Sequence, residues 1–517
     1  MAQNPSKDRR IFSQRACKIQ VDLKKINFQF IKRIKTPIWH SSGKQETESQ
    51  SETEGHPSLK QLASALKLAN KTQKLSLDCP QNHPICLNDL FHLCQSLATL
   101  HTLQATRLVL LNCSEVPDFG FKHLSQGLKT LSSLQSLTLR FTSCELITDT
   151  GLYYLSQGLR KLCSLKKLAI SFPTDSGITD VGFTHIAESL KRLVCLEEIS
   201  LRFTNCYQVT DVAFFSLNKS LKSHSLLKTL NLEFANCGLI TEKAVYDLKE
   251  NLKGLSGLKN LSLILTQARI GDPGLESLSD WLVGLASLQS LKLDFLFCSA
   301  ISDSGFSQLC NALSELNCLQ SVGLSFSSGK LVTNSSLASL SGALKRLCDL
   351  KTLEIEFEHF EGITDEGLGS LRKGLETLKS IERIGLYFGY CWNITDQGVY
   401  DLSEGIKGLV LLKTLKMNFS RCKRVTDKGV KSVCGALRGF VDLSVFAFRV
   451  SFCPNITSAG FNFMCGVLRE LPCLEKVLLG FLPSFSKHLI GQEQIQKTIE
   501  EKIGSDDDHE VGDDEYS

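Results

Sequence analysis

Residues 147–172 read ITDTGLYYLSQGLRKLCSLKKLAISF. Leu152, Leu155, Leu159 and Leu162 follow one another at steps of three or four residues. That spacing places them on one face of a helix. Thr148 and Asp149 stand just ahead and carry side-chain oxygens suited to capping that helix's free N–H groups. After Leu165, the residues Leu168, Ile170 and Phe172 alternate with period two. Alternation of this kind is a strand with one buried face. The stretch is therefore one helix, one turn and one short strand.

The unit returns along the chain. Its first residue falls at Ile85, Val116, Ile147, Ile178, Val209, Ile240, Ile270, Ile301, Val332, Ile363, Ile394, Val425 and Ile456. Of the 12 intervals, eleven are 31 residues long and one is 30. A fixed period of this size marks a repeat array, in which no unit buries its apolar face alone. A Phe ends the strand pattern in ten of 13 units, among them Phe141, Phe172, Phe203, Phe234, Phe388 and Phe419. One helix position is Gly, Ala or Ser in ten units, from Ser96 and Gly127 to Gly405 and Ala436, which lets neighbouring helices or the sheet approach closely. Trp281 breaks that rule in the unit after the short interval, as a packing adjustment or a surface feature. Thirteen strands at ~4.8 Å spacing give a parallel sheet ~60 Å long.

The strand pattern L-x-x-L-x-L, seen at Leu134, Leu137, Leu139 and at Leu165, Leu168, Ile170, resembles the leucine-rich repeat. The Ile-Thr-Asp-x-Gly-Leu segment resembles the cysteine-containing subfamily found in F-box substrate receptors, beside the ribonuclease-inhibitor-like one. The resemblance covers 57–482 and implies an α/β solenoid of about 13 repeats, a horseshoe with the sheet on its concave face and helices on its convex face. The 31-residue unit is longer than the family's usual 20–29 residues, and reads as an added helical turn plus a lengthened strand.

Composition narrows the function classes. Apolar residues make up 42% and charged residues 22% of 517, as in ordinary globular chains. Apolar runs are too short for a transmembrane helix, and the N-terminal residues do not read as a secretory signal, so a cytoplasmic or nuclear location is expected. A net charge of +4 does not point to nucleic acid. Residues 1–40 form a basic segment, with ten Lys or Arg from Lys7 to Lys35, and Ile26, Phe28 and Phe30 alternate as in a cap strand. A basic arm for an acidic partner or membrane surface, or a transit peptide, are alternatives. Residues 41–56 read as a polar disordered linker, 483–504 as a cap with a short helix, and 505–517 as an acidic disordered tail.

No phosphate loop, dinucleotide fingerprint, zinc-protease or nucleophile-elbow motif is present in the sequence. No enzyme, cofactor or metal site is expected. The recurrent Asp of each anchor reads as the cap of its own helix. Eight cysteines share a loop position (Cys113, Cys144, Cys206, Cys237, Cys298, Cys391, Cys422, Cys453) and read as small buried fillers. Five more (Cys163, Cys195, Cys318, Cys348, Cys473) replace a small apolar group near the helix end.

The strand residues between the buried ones face the partner side. Glu354, Glu356 and Glu358 share one strand, and Tyr387 follows one strand over as an exposed aromatic between Gly385 and Gly389. An acidic strip beside an aromatic suits a Lys- or Arg-bearing peptide. Arg140 and Arg202 form a weaker basic counterpart, and Lys416 and Arg449 complete the candidate partner-binding residues. The expectation is a non-catalytic protein-interaction scaffold. A substrate adaptor in SCF-type ubiquitination is a second reading, although residues 1–56 do not resemble an F-box. A small-GTPase regulator of the Ran GTPase-activating type is a third, from the acidic tail.

Overall fold

The computed structural model describes residues 18–21, 66, 72–79, 85–111, 113–173, 177–251, 254–327 and 331–481. They fall into two compact units, Met1–Cys237 and Gly238–Ser517. In the first, strand β1 (Lys18–Val21) pairs antiparallel with β2 (Lys74–Cys79). Then α1 (Leu87–Leu97), β3 (Ala105–Leu110), α2 (Asp118–Leu128), β4 (Ser136–Phe141) and α3 (Asp149–Leu159) follow. The unit closes with β5 (Lys167–Pro173), α4 (Asp180–Leu190), β6 (Glu198–Thr204), α5 (Asp211–Leu221) and β7 (Thr229–Glu233). Strands β2 to β7 pair in chain order, all parallel.

The second unit opens with α6 (Glu242–Asn251), β8 (Asn260–Ile264), α7 (Asp272–Val283) and β9 (Ser290–Phe295). It continues through α8 (Asp303–Glu315), β10 (Ser321–Ser327), α9 (Asn334–Leu344), β11 (Thr352–Glu358), α10 (Asp365–Leu375) and β12 (Arg383–Tyr387). It ends with α11 (Asp396–Ile406), β13 (Thr414–Asn418), α12 (Asp427–Leu437), β14 (Val445–Arg449), α13 (Ser458–Glu470) and β15 (Lys476–Gly480). These strands too are parallel and neighbour one another in sequence order. Alternating strand and helix over about 13 repeats make this a leucine-rich-repeat-like α/β solenoid. No helix of the described residues is long and apolar enough to cross a membrane. The linker at 41–56, the segment 483–504, the acidic stretch 505–517 and the alternation at Ile26, Phe28 and Phe30 lie outside the described residues.

The repeat anchor works differently from the sequence reading. Thr148 caps its own helix, its hydroxyl accepting from the Thr150 N–H. The carboxylate at the helix start instead reaches forward by one repeat. Asp149 Oδ1 accepts from the backbone N–H groups of Thr179 (2.8 Å) and Gly182 (2.9 Å), and its Oδ2 accepts from the Thr179 hydroxyl (2.7 Å). Asp365 does the same to Thr395 and Gly398, and Asp396 to Thr426 and Gly429. The expectation that each Asp caps its own helix is thus corrected. Each Asp satisfies free N–H groups of the next helix, so the cap is a contact between repeats. Hydrogen bonds to an ionised acceptor are the stronger kind, about 1.5–3 kcal/mol each.

The same contact explains the glycine of Ile-Thr-Asp-x-Gly. A Cβ at Gly182 would stand 2.4 Å from Asp149 Oδ1, and one at Gly398 would stand 2.5 Å from Asp365 Oδ1. Ser336 occupies this place once and turns its hydroxyl into a donor to Asp303 at 2.6 Å. Burial pushes the Asp303 carboxyl upward, but donors from Ser336 and Thr333 outweigh it and hold it below the ordinary range. Its contribution to stability is therefore present at neutral pH and lost as pH falls through that depressed value.

The interior follows the sequence pattern. Phe141, Phe172, Phe203 and Phe234 stack at 5.2, 5.6 and 5.9 Å between ring centroids in the first unit. Phe295, Phe326, Phe357, Phe388 and Phe419 form the same spine in the second, at 5.7 to 6.4 Å. All are buried, and each such side chain contributes roughly 1.5–3 kcal/mol. Strands β7, β12 and β13 stop one residue short of this Phe, so the strand is not lengthened in every repeat. A Cβ at Gly158 would meet Ser125 Cα at 2.9 Å, so the small helix position is where one helix crosses its predecessor. Trp281 is buried at 3% exposure, which makes it a packing residue and not a surface feature.

The eight loop cysteines are all buried. Cys391, Cys422 and Cys453 each donate a thiol hydrogen bond to a carbonyl of the preceding repeat (Phe357, Phe388 and Phe419) at 3.2 Å. Burial pushes the Cys391 thiol up to about 12 and Cys453 to about 11, so neither is a nucleophile at neutral pH. Of the other five, near the helix ends, Cys163, Cys318, Cys348 and Cys473 are exposed at the surface.

Two alanine substitutions separate the clamp from helix propensity. Gly435→Ala, where a Cβ meets nothing within 4 Å, should leave the unfolding midpoint unchanged or raise it. Gly398→Ala should lower it, by about 1–3 kcal/mol, because the methyl would stand 2.5 Å from Asp365 Oδ1 and cost that oxygen its bond from the residue 398 N–H. Urea unfolding of the two variants beside the parent chain checks this.

Candidate functional site

In the second unit the helices cover one face of the sheet and leave the other open. Register places two rows of side chains across the open face of strands β9 to β14. One row is Lys292, Gly323, Glu354, Gly385, Lys416 and Ala447. The next is Asp294, Ser325, Glu356, Tyr387, Asn418 and Arg449. Glu358 extends the acidic strand by one more outward position, level with Ser327. Glu354 is exposed, whereas Glu356 and Glu358 are half-buried.

The carboxylates sit in a partly dry patch. Burial pushes Glu356 up to about 7, with Glu358 and Asp294 adding to the rise. A hydrogen bond from Ser325 and the charge of Lys292 oppose it. Burial also raises Glu358, against a hydrogen bond from Asn418 and the charge of Arg449. Asn418 Nδ2 donates to Glu358 Oε1 at 3.0 Å, spanning two strands. Asp294 is 6% exposed and accepts from the Thr266 hydroxyl (2.9 Å) and the Leu296 N–H (3.1 Å). Its pKa is raised, by burial first.

Tyr387 departs from the expectation of an exposed aromatic between two glycines. It is half-buried, and its ring lies over Gly385, where a Cβ would stand 2.8 Å from Tyr387 Cε2. Gly389 serves another purpose. A Cβ there would stand 2.8 Å from Glu358 Oε1 and 3.3 Å from Asn418 Nδ2, so this glycine gives passage to their hydrogen bond. Burial, followed by the charges of Glu354 and Glu356, raises the Tyr387 phenol above its ordinary range, against Arg449.

Lys416 and Arg449 therefore share the face with the acidic strip, in the adjoining strands β13 and β14. Arg140 and Arg202 do not belong to it, because they stand on β4 and β6 of the first unit. Arg202 is paired with Glu233 at 2.7 Å, which removes half of the basic counterpart. Arg140 aligns with Val109 and Ser171. Alternation alone also puts Asp294 and Asn418 on this face, a grouping the acidic strip by itself does not reveal. The available signal was phase, since Asp294 and Asn418 stand 62 residues before and after Glu356. Among the described residues no group of three or more His, Cys, Asp or Glu side chains is arranged to hold a metal ion.

The raised Glu356 value fixes the sign of a pH effect. A carboxyl more easily protonated when folded contributes stability in full below its unfolded value, and that contribution disappears as pH rises through about 7. Glu356→Gln should therefore raise the thermal midpoint at pH 8 and leave it unchanged at pH 4. Calorimetric scans of variant and parent at both values check this.

No family model matches the chain, and no curated protein does. Among solved structures, the chain is similar to one in the crystal structure of the Rad7 and Elc1 complex in yeast. That match has 18% sequence identity and a TM-score of 0.47, over 78% of this chain and 91% of the other.

Proposed function

We propose that the chain is a non-catalytic protein-interaction scaffold. Its second unit presents Glu354, Glu356, Glu358 and Tyr387, flanked by Lys416 and Arg449, to a Lys- or Arg-bearing segment of a protein partner. One observation carries the reading. Glu356 is half-buried among other carboxylates, and no cation forms an ion pair with it among the described residues. Its ionised form is held back by lost hydration, and an incoming ammonium or guanidinium group supplies the missing charge. Binding then ionises Glu356 and releases its proton.

The rest of the face suits recognition. Tyr387 adds a rigid aromatic surface, the residue type that dominates interface energies. The strands beneath it are fixed by their neighbours, so a partner loses conformational freedom on binding while the scaffold loses little. Nothing on this face favours the ubiquitination-adaptor or GTPase-regulator readings over a general scaffold.

The test compares the full chain with a Glu356→Lys, Tyr387→Ala variant in affinity capture from native lysate, followed by an array of Lys- and Arg-containing peptides. Captured partner and peptide signal should fall by roughly tenfold or more in the variant, with the fold retained by circular dichroism. Equal capture by both chains contradicts the reading.

A further inference from the structure

A second surface of the same unit lies on the loops that leave the strands. At one repeat position the backbone takes the left-handed conformation without glycine, at His359, Tyr390, Arg421 and Phe452, with φ of 60° to 62°. Such residues are strained, by roughly 1–2 kcal/mol each, and here neighbouring repeats hold them in place. The N–H groups of His359, Tyr390 and Arg421 donate to the carbonyls of Gly389, Ser420 and Ser451 in the next repeat, at 2.8 to 3.0 Å.

The four side chains form a stack. The rings of His359 and Tyr390 lie 3.9 Å apart and are nearly parallel. The Arg421 guanidinium sits between two rings, 5.0 Å from the centre of Tyr390 and 4.5 Å from that of Phe452. Phe452 is 43% exposed, and Trp392 beside the stack is 46% exposed. A guanidinium sandwiched in this way keeps its planar N–H edge free, and that edge matches a carboxylate bidentately.

Further cations share the rim. Lys423 and Arg424 are exposed on the Arg421 loop, which is held by the Asn455 side-chain amide donating to the Lys423 carbonyl at 3.0 Å. None of Arg421, Lys423 and Arg424 forms an ion pair among the described residues. The loops 390–395, 421–426 and 452–457 contain no carboxylate. The result is an aromatic and cationic edge whose carboxylate, Glu361, stands on the His359 loop, two repeats away from Arg421, Lys423 and Arg424.

We propose that this rim is a docking surface for an acidic peptide segment, and that its occupant is the chain's own stretch 505–517. Charge complementarity argues for that occupant. The stretch carries Asp506, Asp507, Asp508, Glu510, Asp513, Asp514 and Glu515, with no Lys or Arg. Reach argues for it too. Strand β15 belongs to the repeat next to Phe452, and the 23 residues of 482–504 span at most about 80 Å. The stack lies within four strand spacings of that end, about 20 Å. A tethered segment of this length acts at an effective concentration on the order of millimolar, enough for a weak ionic contact to be occupied. The contact is independent of the acidic face proposed above, which lies on the strands.

Carbodiimide cross-linking tests it, because this reagent joins carboxylates to lysines in direct contact. With the full chain at low concentration, peptide mapping of the monomer band should show Lys423 joined to carboxylates of 506–515. The yield should fall roughly tenfold in Arg421→Glu, Arg424→Glu, and again in Asp506→Asn, Asp507→Asn, Asp508→Asn, whose changes lie outside the repeats. It should also fall at about 0.5 M salt, where exposed charges are screened within a few ångströms. Links from 506–515 to the lysines between Lys7 and Lys35 in place of Lys423, links confined to a dimer band, or yields unchanged in both variants overturn the proposal.

Discussion

A carboxylate that reaches forward by one repeat ties most units of this chain to the next, and the Asn334 amide takes its place once. Asp149, Asp365, Asp396 and their equivalents each take an N–H and a hydroxyl from the threonine that opens the next helix. That threonine in turn caps its own helix, as Thr395 does for Gln397. From the helix that opens at Asp149 onward, most helix starts are thus completed by their predecessor. The threonine hydroxyl meets one carboxylate oxygen, and glycine two residues after the acid leaves its N–H open to the other, as at Gly182, Gly398 and Gly429, while Ala213 keeps only the threonine contacts to Asp180. The contact also fixes how far each helix can slide against the next, and with it the register of the strands those helices carry.

Fixed register is what lines up the outward side chains of successive strands. Residues 31 apart fall side by side, so chemistry in single strands becomes chemistry in rows. Asp294, Glu356 and Tyr387 share one such row, and the small residues Ser325 and Gly385 leave room beside them. The Phe spine beneath carries no polar atom and demands none, leaving the open face free to vary. Acidic groups crowded there are costly to ionise, and on the proposed reading a partner's cation relieves that cost. The buried spine and the proposed binding row thus stand on opposite sides of the same strands.

The periodic part of this architecture was legible in the sequence because its signals are local. Leu152, Leu155 and Leu159 declare a helix within eight residues, and Leu168, Ile170 and Phe172 declare a strand within five. The partner of Asp149 was not legible in the same way. Its donors lie 30 and 33 residues on, so the capping residue type was recognised while the helix it serves was not. The recurring glycine was the clue, since a helix that only needed its own cap would have no reason to avoid a methyl there. Tyr387 illustrates the same limit on the site. Alternation gave its face, but its half-burial depends on how the ring folds over Gly385 and on the neighbouring carboxylates. Glu358 and Asn418 meet across an intervening strand, through a gap that only Gly389 leaves open.

Native-state hydrogen exchange on an Asp396→Ala variant tests the forward clamp most directly. The account predicts that the amides of Thr426 and Gly429, which donate to Asp396, lose protection, while the first turn of the helix that Asp396 itself begins keeps it. Loss of protection confined to residues 396–400, with Thr426 and Gly429 unaffected, would show a carboxylate serving its own helix and would contradict the account.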